Sequence, residues 1–116
     1  MTTLAPETFG EAIRSLPRTF RAERAAEDVA RVHISTVGPE PGNWMVTVRN
    51  GSCYVEEGSF VDTNLRIHIP SDIALAIIRG EIDGGRAFDQ GFFVINGELD
   101  ILRKFGDWFG HAAPER

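Results

Sequence analysis

Cysteine is almost missing from this chain: Cys53 stands alone, which excludes an intrachain disulfide and a cysteine-based metal cluster within one chain. No stretch approaches the roughly 18 consecutive apolar residues that cross a bilayer as a helix. Met1 to Gly10 has neither the basic nor the apolar region of a secretory signal, so the expected compartment is the cytoplasm. Basic charge is also short. Twelve Lys and Arg stand against 17 Asp and Glu, a net charge of -5, which argues against a nucleic-acid partner held by general electrostatics. Several signatures of local chemistry are absent too. There is no HExxH for a metal, no GxSxG nucleophile elbow, and no GxxxxGK phosphate loop around Gly84-Gly85. No internal repeat or low-complexity segment is found.

What remains is an ordinary globular composition, 42% hydrophobic and 25% charged over 116 residues. That length fits one domain, 1–116, with a single core. A chain this short removes only ~65% of its unfolded surface from water, so a large internal void would be costly unless something filled it.

Helical spacing comes first. Phe9, Ala12, Ile13 and Leu16 fall at i, i+3, i+4 and i+7, predicting a helix from about Pro6 to Leu16. Pro17 disfavours helix at Leu16, so a break and a second short helix through Ala25, anchored by Phe20, are expected. The period then changes to two. Val32, Ile34 and Thr36 oppose Arg31, His33 and Ser35, and Trp44, Val46 and Val48 oppose Met45, Thr47 and Arg49. Gly38 to Gly42 is a turn between them. Asn50-Gly51 signals a hairpin into a third strand reaching about Glu56, closed by Glu57-Gly58-Ser59. Leu65, Ile67 and Ile69 alternate with Arg66 and His68 in a fourth strand.

Ser71 or Asp72 can cap a helix running to Arg79 that is apolar almost all round, from Ile73 to Ile78. Such a helix needs cover on more than one side. Gly80 stops it, Asp83-Gly84-Gly85 turns, and Arg86 to Gln90 forms a short helix. Phe92 to Asn96 makes a fifth strand, Glu98 to Phe109 a last helix, and 110–116 a tail. This order predicts an α+β domain: about five strands in a mixed or antiparallel sheet, with helices packed on one face.

The polar residues have modest readings. Arg14, Arg18, Arg21 and Arg24 face one acid, Glu23, between Ala12 and Ala26. This is a solvated helix surface or, alternatively, a site for an anionic headgroup, a membrane surface or an acidic partner. His33 and His68 share the polar side of the sheet, but no third ligand is spaced to join them; His111 lies in the tail. Glu98 sits where a negative charge favours a helix dipole. Phe88, Phe93, Phe105, Trp108 and Phe109 can converge beside the apolar helix, and periodicity alone makes them a plain aromatic core.

Taken in order, these motifs resemble the sterol carrier protein 2 (SCP2) domain family from about Leu16 to Phe109. The resemblance rests on Leu16-Pro17, Phe20 and Ala25-Ala26, then Gly38, Trp44-x-Val46-x-Val48 and Asn50-Gly51. Further along it rests on Val61-Asp62, Leu65-x-Ile67-x-Ile69, Ser71-Asp72, Gly80-Glu81, Ala87-Phe88, Gly91 and Ile95-Asn96-Gly97-Glu98. It implies a sheet packed by helices with an apolar cavity between them for fatty acyl chains, sterols or isoprenoid-like molecules. No catalytic residue, metal or cofactor is implied. The resemblance also turns the aromatic cluster into a cavity wall, with Ile77, Ile78, Phe88, Phe93, Ile95, Leu102, Phe105, Trp108 and Phe109 as expected ligand-binding residues. The last helix, through Phe105, Trp108 and Phe109, is the expected gate.

The chain reads as a free-standing member, and Pro114-Glu115-Arg116 is not the peroxisomal Ser-Lys-Leu address of some relatives. One departure stands out. Phe92 and Val94 make the outer face of the fifth strand apolar where the family usually alternates basic residues, so cover by a loop or by a second copy in a homodimer is expected. The expected function is that of a non-catalytic lipid carrier. Its rivals are a cyclase- or isomerase-like enzyme using the same cavity, which would need a polar group such as Glu98 buried in the wall, and an accessory subunit whose groove receives a partner helix.

Overall fold

A computed structural model describes residues 7–58 and 62–109; Pro6, Ser59, Val61, His111 and the 110–116 tail lie outside them. Three short helices open the chain, α1 (Phe9–Arg14), α2 (Leu16–Thr19) and α3 (Ala22–Ala25). The break falls at Ser15, one residue earlier than expected, because Pro17 is tolerated in the first turn of α2, where its missing N–H costs nothing. A second break, at the extended Phe20 and Arg21, separates α2 from α3.

Strands β1 (Ala30–Val37), β2 (Gly42–Arg49) and β3 (Ser52–Glu57) form an antiparallel meander. Asn50 and Gly51 both take positive φ, 53° and 70°, the two-residue turn whose twist matches a hairpin. Strand β4 (Leu65–Pro70) then pairs parallel with β1, and β5 (Val94–Gly97) closes the other edge antiparallel to β4. The result is a mixed five-stranded sheet ordered β3-β2-β1-β4-β5. Between β4 and β5 lie α4 (Ser71–Ile78) and α5 (Gly84–Asp89), and α6 (Leu99–Trp108) ends the described chain.

Helices cover one face of the sheet. Strict alternation along β1 and β4 buries Ala30, Val32, Ile34 and Thr36 with Leu65, Ile67 and Ile69, and leaves Arg66 and His68 exposed. Met45 departs from the expected polar side. It points away from the helices yet is fully buried, at the middle of the sheet between His33 and Glu56. The outer face of β5 departs in the other direction. Phe92 and Val94 are 45% and 58% exposed, so no loop of the described chain covers them.

The helix caps differ from expectation as well. Ser71 does not cap α4 with its side chain; its Oγ accepts from the Glu40 N–H at 2.9 Å. Glu40 is the centre of a polar knot. Its carboxylate accepts from the N–H groups of Phe9 (2.7 Å) and Gly10 (2.8 Å), and its carbonyl accepts from Thr36 Oγ1 (2.9 Å). Two orphan amides at the start of α1 are satisfied by a residue 31 and 30 positions away, which pins α1 to the loop between β1 and β2. Asp83, expected in a turn, is the N-cap of α5 and accepts from the Arg86 N–H.

Candidate functional site

The inner face of the sheet is divided along its strands. Toward one end Ala30, Val32, Val46, Val48 and Leu65 are wholly buried in side-chain packing. Toward the other, Ile34, Ile67 and Ile69 form the floor of a cavity of about 540 Å³. Phe9 and Leu16 close it on the side of α1 and α2, and Ala74, Ile77 and Ile78 of α4 form another wall. Phe88 of α5 and Phe93 stand 5.7 Å apart between ring centres, Leu102 and Phe105 come from α6, and Phe109 follows directly after it.

The apolar stretch of α4 from Ile73 to Ile78 is explained by this arrangement. One side packs on α1 and another lines the void, so Ile77 and Ile78 are half-buried although no polar side chain accompanies them. Cover on that side is incomplete because its neighbour is a space.

Of the nine residues expected at the site, Ile77, Ile78, Phe88, Phe93, Leu102, Phe105 and Phe109 border the cavity. Ile95 and Trp108 do not. Ile95 lies opposite Ile67 but one strand further out, and packs against the core beside the hollow. Trp108 is 1% exposed, and its Nε1 donates to Asp28 Oδ2 at 3.4 Å. It is an anchor rather than a moving part. The strand floor, together with Phe9, Leu16 and Ala74, was legible only as core, because alternation marks what faces inward and not where packing stops.

Two of the mouth's edges are well defined. Asp83, Gly85 and Asp89 on α5, and Leu99, Arg103 and Gly106 on α6, are the exposed residues of the lining. The opening therefore lies between α5 and α6. Helix α6 is tied at both ends. At its start, Gly97 adopts φ 120° against Asn64, whose carbonyl a Cβ there would strike, and that carbonyl accepts from the Glu98 N–H at 2.9 Å. At its finish, the Arg21 N–H donates to Trp108 O (2.6 Å), Arg21 Nη2 donates to Phe109 O (3.2 Å), and Lys104 pairs with Asp28 (3.2 Å). Helix α5 is held more lightly: Ala87 is its one fully buried residue, and glycines with positive φ, Gly80 and Gly91, flank it.

Other groups singled out in the sequence do not assemble. Arg14 stacks over Trp44 at 4.7 Å while Arg21 ties down α6, so these two of the four arginines serve separate neighbours. His33 Nε2 lies 3.0 Å from Asn43 Oδ1 and His68 is exposed. Among the described residues no three His, Cys, Asp or Glu side chains converge as a metal site would require. Glu98 is exposed and outside the lining. Burial pushes the Cys53 thiol up to about 12, the behaviour of an inert strand residue.

Comparison with protein-family models and with curated proteins returned no match. Solved structures did match. The palmitated SCP2L2 of Aedes aegypti superposes with a TM-score of 0.69 at 17% identity, over 93% of this chain and 97% of that one. The chain has the SCP2-like fold. The sterol carrier protein domain 2 of Helicoverpa armigera gives a TM-score of 0.67 at 16% identity, over 92% and 91% of the two chains. The SCP2-like fold also matches part of the sec-alkylsulfatase Pisa1 from Pseudomonas sp., with a TM-score of 0.73 at 17% identity. There the match takes in 86% of this chain but only 16% of the alkylsulfatase.

Proposed function

We propose that this SCP2-like domain is a non-catalytic carrier that encloses the apolar chain of a lipid. The supporting observation is the composition of the cavity: among the described residues its charged ones, Asp83, Asp89 and Arg103, are at the exposed mouth, and the interior walls are aliphatic and aromatic. A space of about 540 Å³ lies well inside the ~300 to 1,000 Å³ range of ligand pockets. Kept rigid and dry, it would cost about 13 kcal/mol at ~24 cal/mol per Å³, comparable with the ~5 to 15 kcal/mol that holds a whole domain together. Water entering through the mouth would meet walls that offer few hydrogen bonds. An acyl or isoprenoid chain releases that water and contributes ~0.8 kcal/mol for each methylene buried, without any polar contact inside. A palmitated neighbour with the same fold supports this class of guest.

Entry is assigned to α5, the element flanked by Gly80 and Gly91, rather than to the doubly tied α6. Among the described residues the interior walls hold no acid or base for an isomerase or cyclase, so the carrier reading is preferred to an enzyme. The test is native mass spectrometry of gently purified protein with organic extraction, followed by displacement of a fluorescent fatty-acid analogue by a series of chain lengths. A bound apolar molecule and affinity rising with each methylene are expected; absence of both overturns the proposal. Amide hydrogen exchange should be faster in α5 than in α6, and the guest should slow it in α5.

A further inference from the structure

The two lips of the mouth carry opposite charge. Asp83 and Asp89 stand at the two ends of α5, and Arg103 faces the same cavity from α6, one turn after Leu99 and one before Gly106. Despite their signs they do not close on one another. The ion pairs formed among the described residues are Arg14–Glu57, Arg79–Glu81 and Lys104–Asp28, and none spans the mouth. Asp83 spends one oxygen on the Arg86 N–H that it caps. Arg86 itself lies between the two aspartates in sequence but outside the lining. An apolar tail enclosed as proposed would leave its head at the mouth, with the two carboxylates on the α5 side and the guanidinium on the α6 side.

We infer that the mouth selects single-chain amphiphiles with a zwitterionic head, the cationic part lying toward Asp83 and Asp89 and the anionic part toward Arg103. This rests on the lipid-carrier reading and adds the class of head group. A free carboxylate would gain Arg103 but face two aspartates. A purely cationic head would gain the aspartates but face Arg103. A neutral alcohol would gain neither. Only a dipolar head satisfies both lips, and a guanidinium is suited to its carboxylate or phosphate end because it donates in a planar fork. Rim pairs of this kind are individually weak, so the selectivity expected from both lips together is about five- to tenfold.

The experiment is competition against a fluorescent fatty-acid analogue by four probes of equal tail length, each below its micellar concentration: palmitoylcarnitine, palmitate, hexadecyltrimethylammonium and hexadecanol. Palmitoylcarnitine is expected to bind about five- to tenfold more tightly than the other three. The ratio of palmitoylcarnitine to hexadecanol affinity, taken within each protein, should fall toward one in Arg103→Gln and in the double variant Asp83→Asn, Asp89→Asn. Asn caps a helix as well as Asp does, so α5 keeps its start. Binding of all four probes with equal affinity, or tightest binding of palmitate, overturns the head-group inference and leaves the carrier reading standing. If none of the four displaces the analogue, the carrier reading fails and this inference with it.

Discussion

Gly106 gives the sharpest test of where the mouth lies. It sits on the exposed stripe of α6, borders the cavity, and a Cβ built there meets nothing within 4 Å among the described residues. Replacing it by Leu therefore places an isobutyl group in open space at the entrance. Two effects follow, of opposite kind. Helix propensity favours Leu over Gly by up to ~1 kcal/mol in a helix interior; two residues from the end of α6, about half of that is expected, a rise in Tm of roughly 2 to 4 °C. Binding should suffer. The new side chain occupies the volume of three to four methylenes of the guest, which at ~0.8 kcal/mol each amounts to about 2 to 3 kcal/mol, or a loss of affinity of roughly 30- to 150-fold. Thermal denaturation followed by circular dichroism reads the first quantity, and displacement of a fluorescent fatty-acid analogue reads the second. A fall in Tm of several degrees would mean that the space is filled. Unchanged affinity at raised Tm would mean that the guest enters elsewhere, and the mouth between α5 and α6 would have to be abandoned.

Trp108→Phe keeps an aromatic ring but deletes the hydrogen bond to Asp28. It should lower stability by about 1 to 2 kcal/mol in chemical denaturation with little change in fatty-acid affinity, and a large loss of affinity would restore Trp108 to the wall. Glu40→Gln leaves a single acceptor oxygen for the two amides of Phe9 and Gly10. A cost of about 1 to 3 kcal/mol is expected, with faster hydrogen exchange at the start of α1 as the local readout. Cys53 links stability to alkaline pH. Its thiol is raised from 9.0 to about 12 in the fold, so above pH 9 the unfolded chain releases a proton that the folded chain retains, and stability falls between pH 9 and about 12. Cys53→Val should remove that part of the slope; identical pH profiles for the two proteins would show that the thiol is not desolvated.

The sheet was legible because its signals are local. Alternation at Val32, Ile34 and Thr36, the Asn50-Gly51 turn and the caps around Gly80 and Gly97 each specify a short stretch of backbone with no help from elsewhere. The hollow was legible only through resemblance. Ile34 and Val32 are equivalent in any pattern of alternating residues, yet one borders the cavity and the other is packed solid. The difference lies in which helix reaches each end of the sheet, a property of the whole chain. Trp108 and Ile95 were misplaced for the same reason, since an aromatic or β-branched residue beside a void has the same spacing as one beside its packed neighbours. Glu40 gave no signal at all. A single acid in a Gly-Pro-Glu-Pro-Gly turn reads as loop, and its capping of a helix 30 residues upstream appears only in three dimensions.

That capping bears on how so small a domain sustains a cavity. Two of its helices are held at their ends as well as by packing: α1, whose Phe9, Ala12 and Ile13 are buried, by the Glu40 carboxylate, and α6 by Asn64 at its start and by Arg21 and Asp28 at its finish. Hydrogen bonds to charged groups contribute ~1.5 to 3 kcal/mol each, so a few at the perimeter fix helix positions that apolar contact would otherwise have to fix from the centre. Collapse onto Ile34, Ile67 and Ile69 would break them. The solid half of the sheet, from Ala30 to Val48 and Leu65, supplies the burial that the hollow half forgoes. Helix α5 is restrained less, with Ala87 its one fully buried residue and a glycine of positive φ on each side. The carrier reading therefore predicts that guests differing in bulk displace α5 while leaving the sheet, α1 and α6 in place.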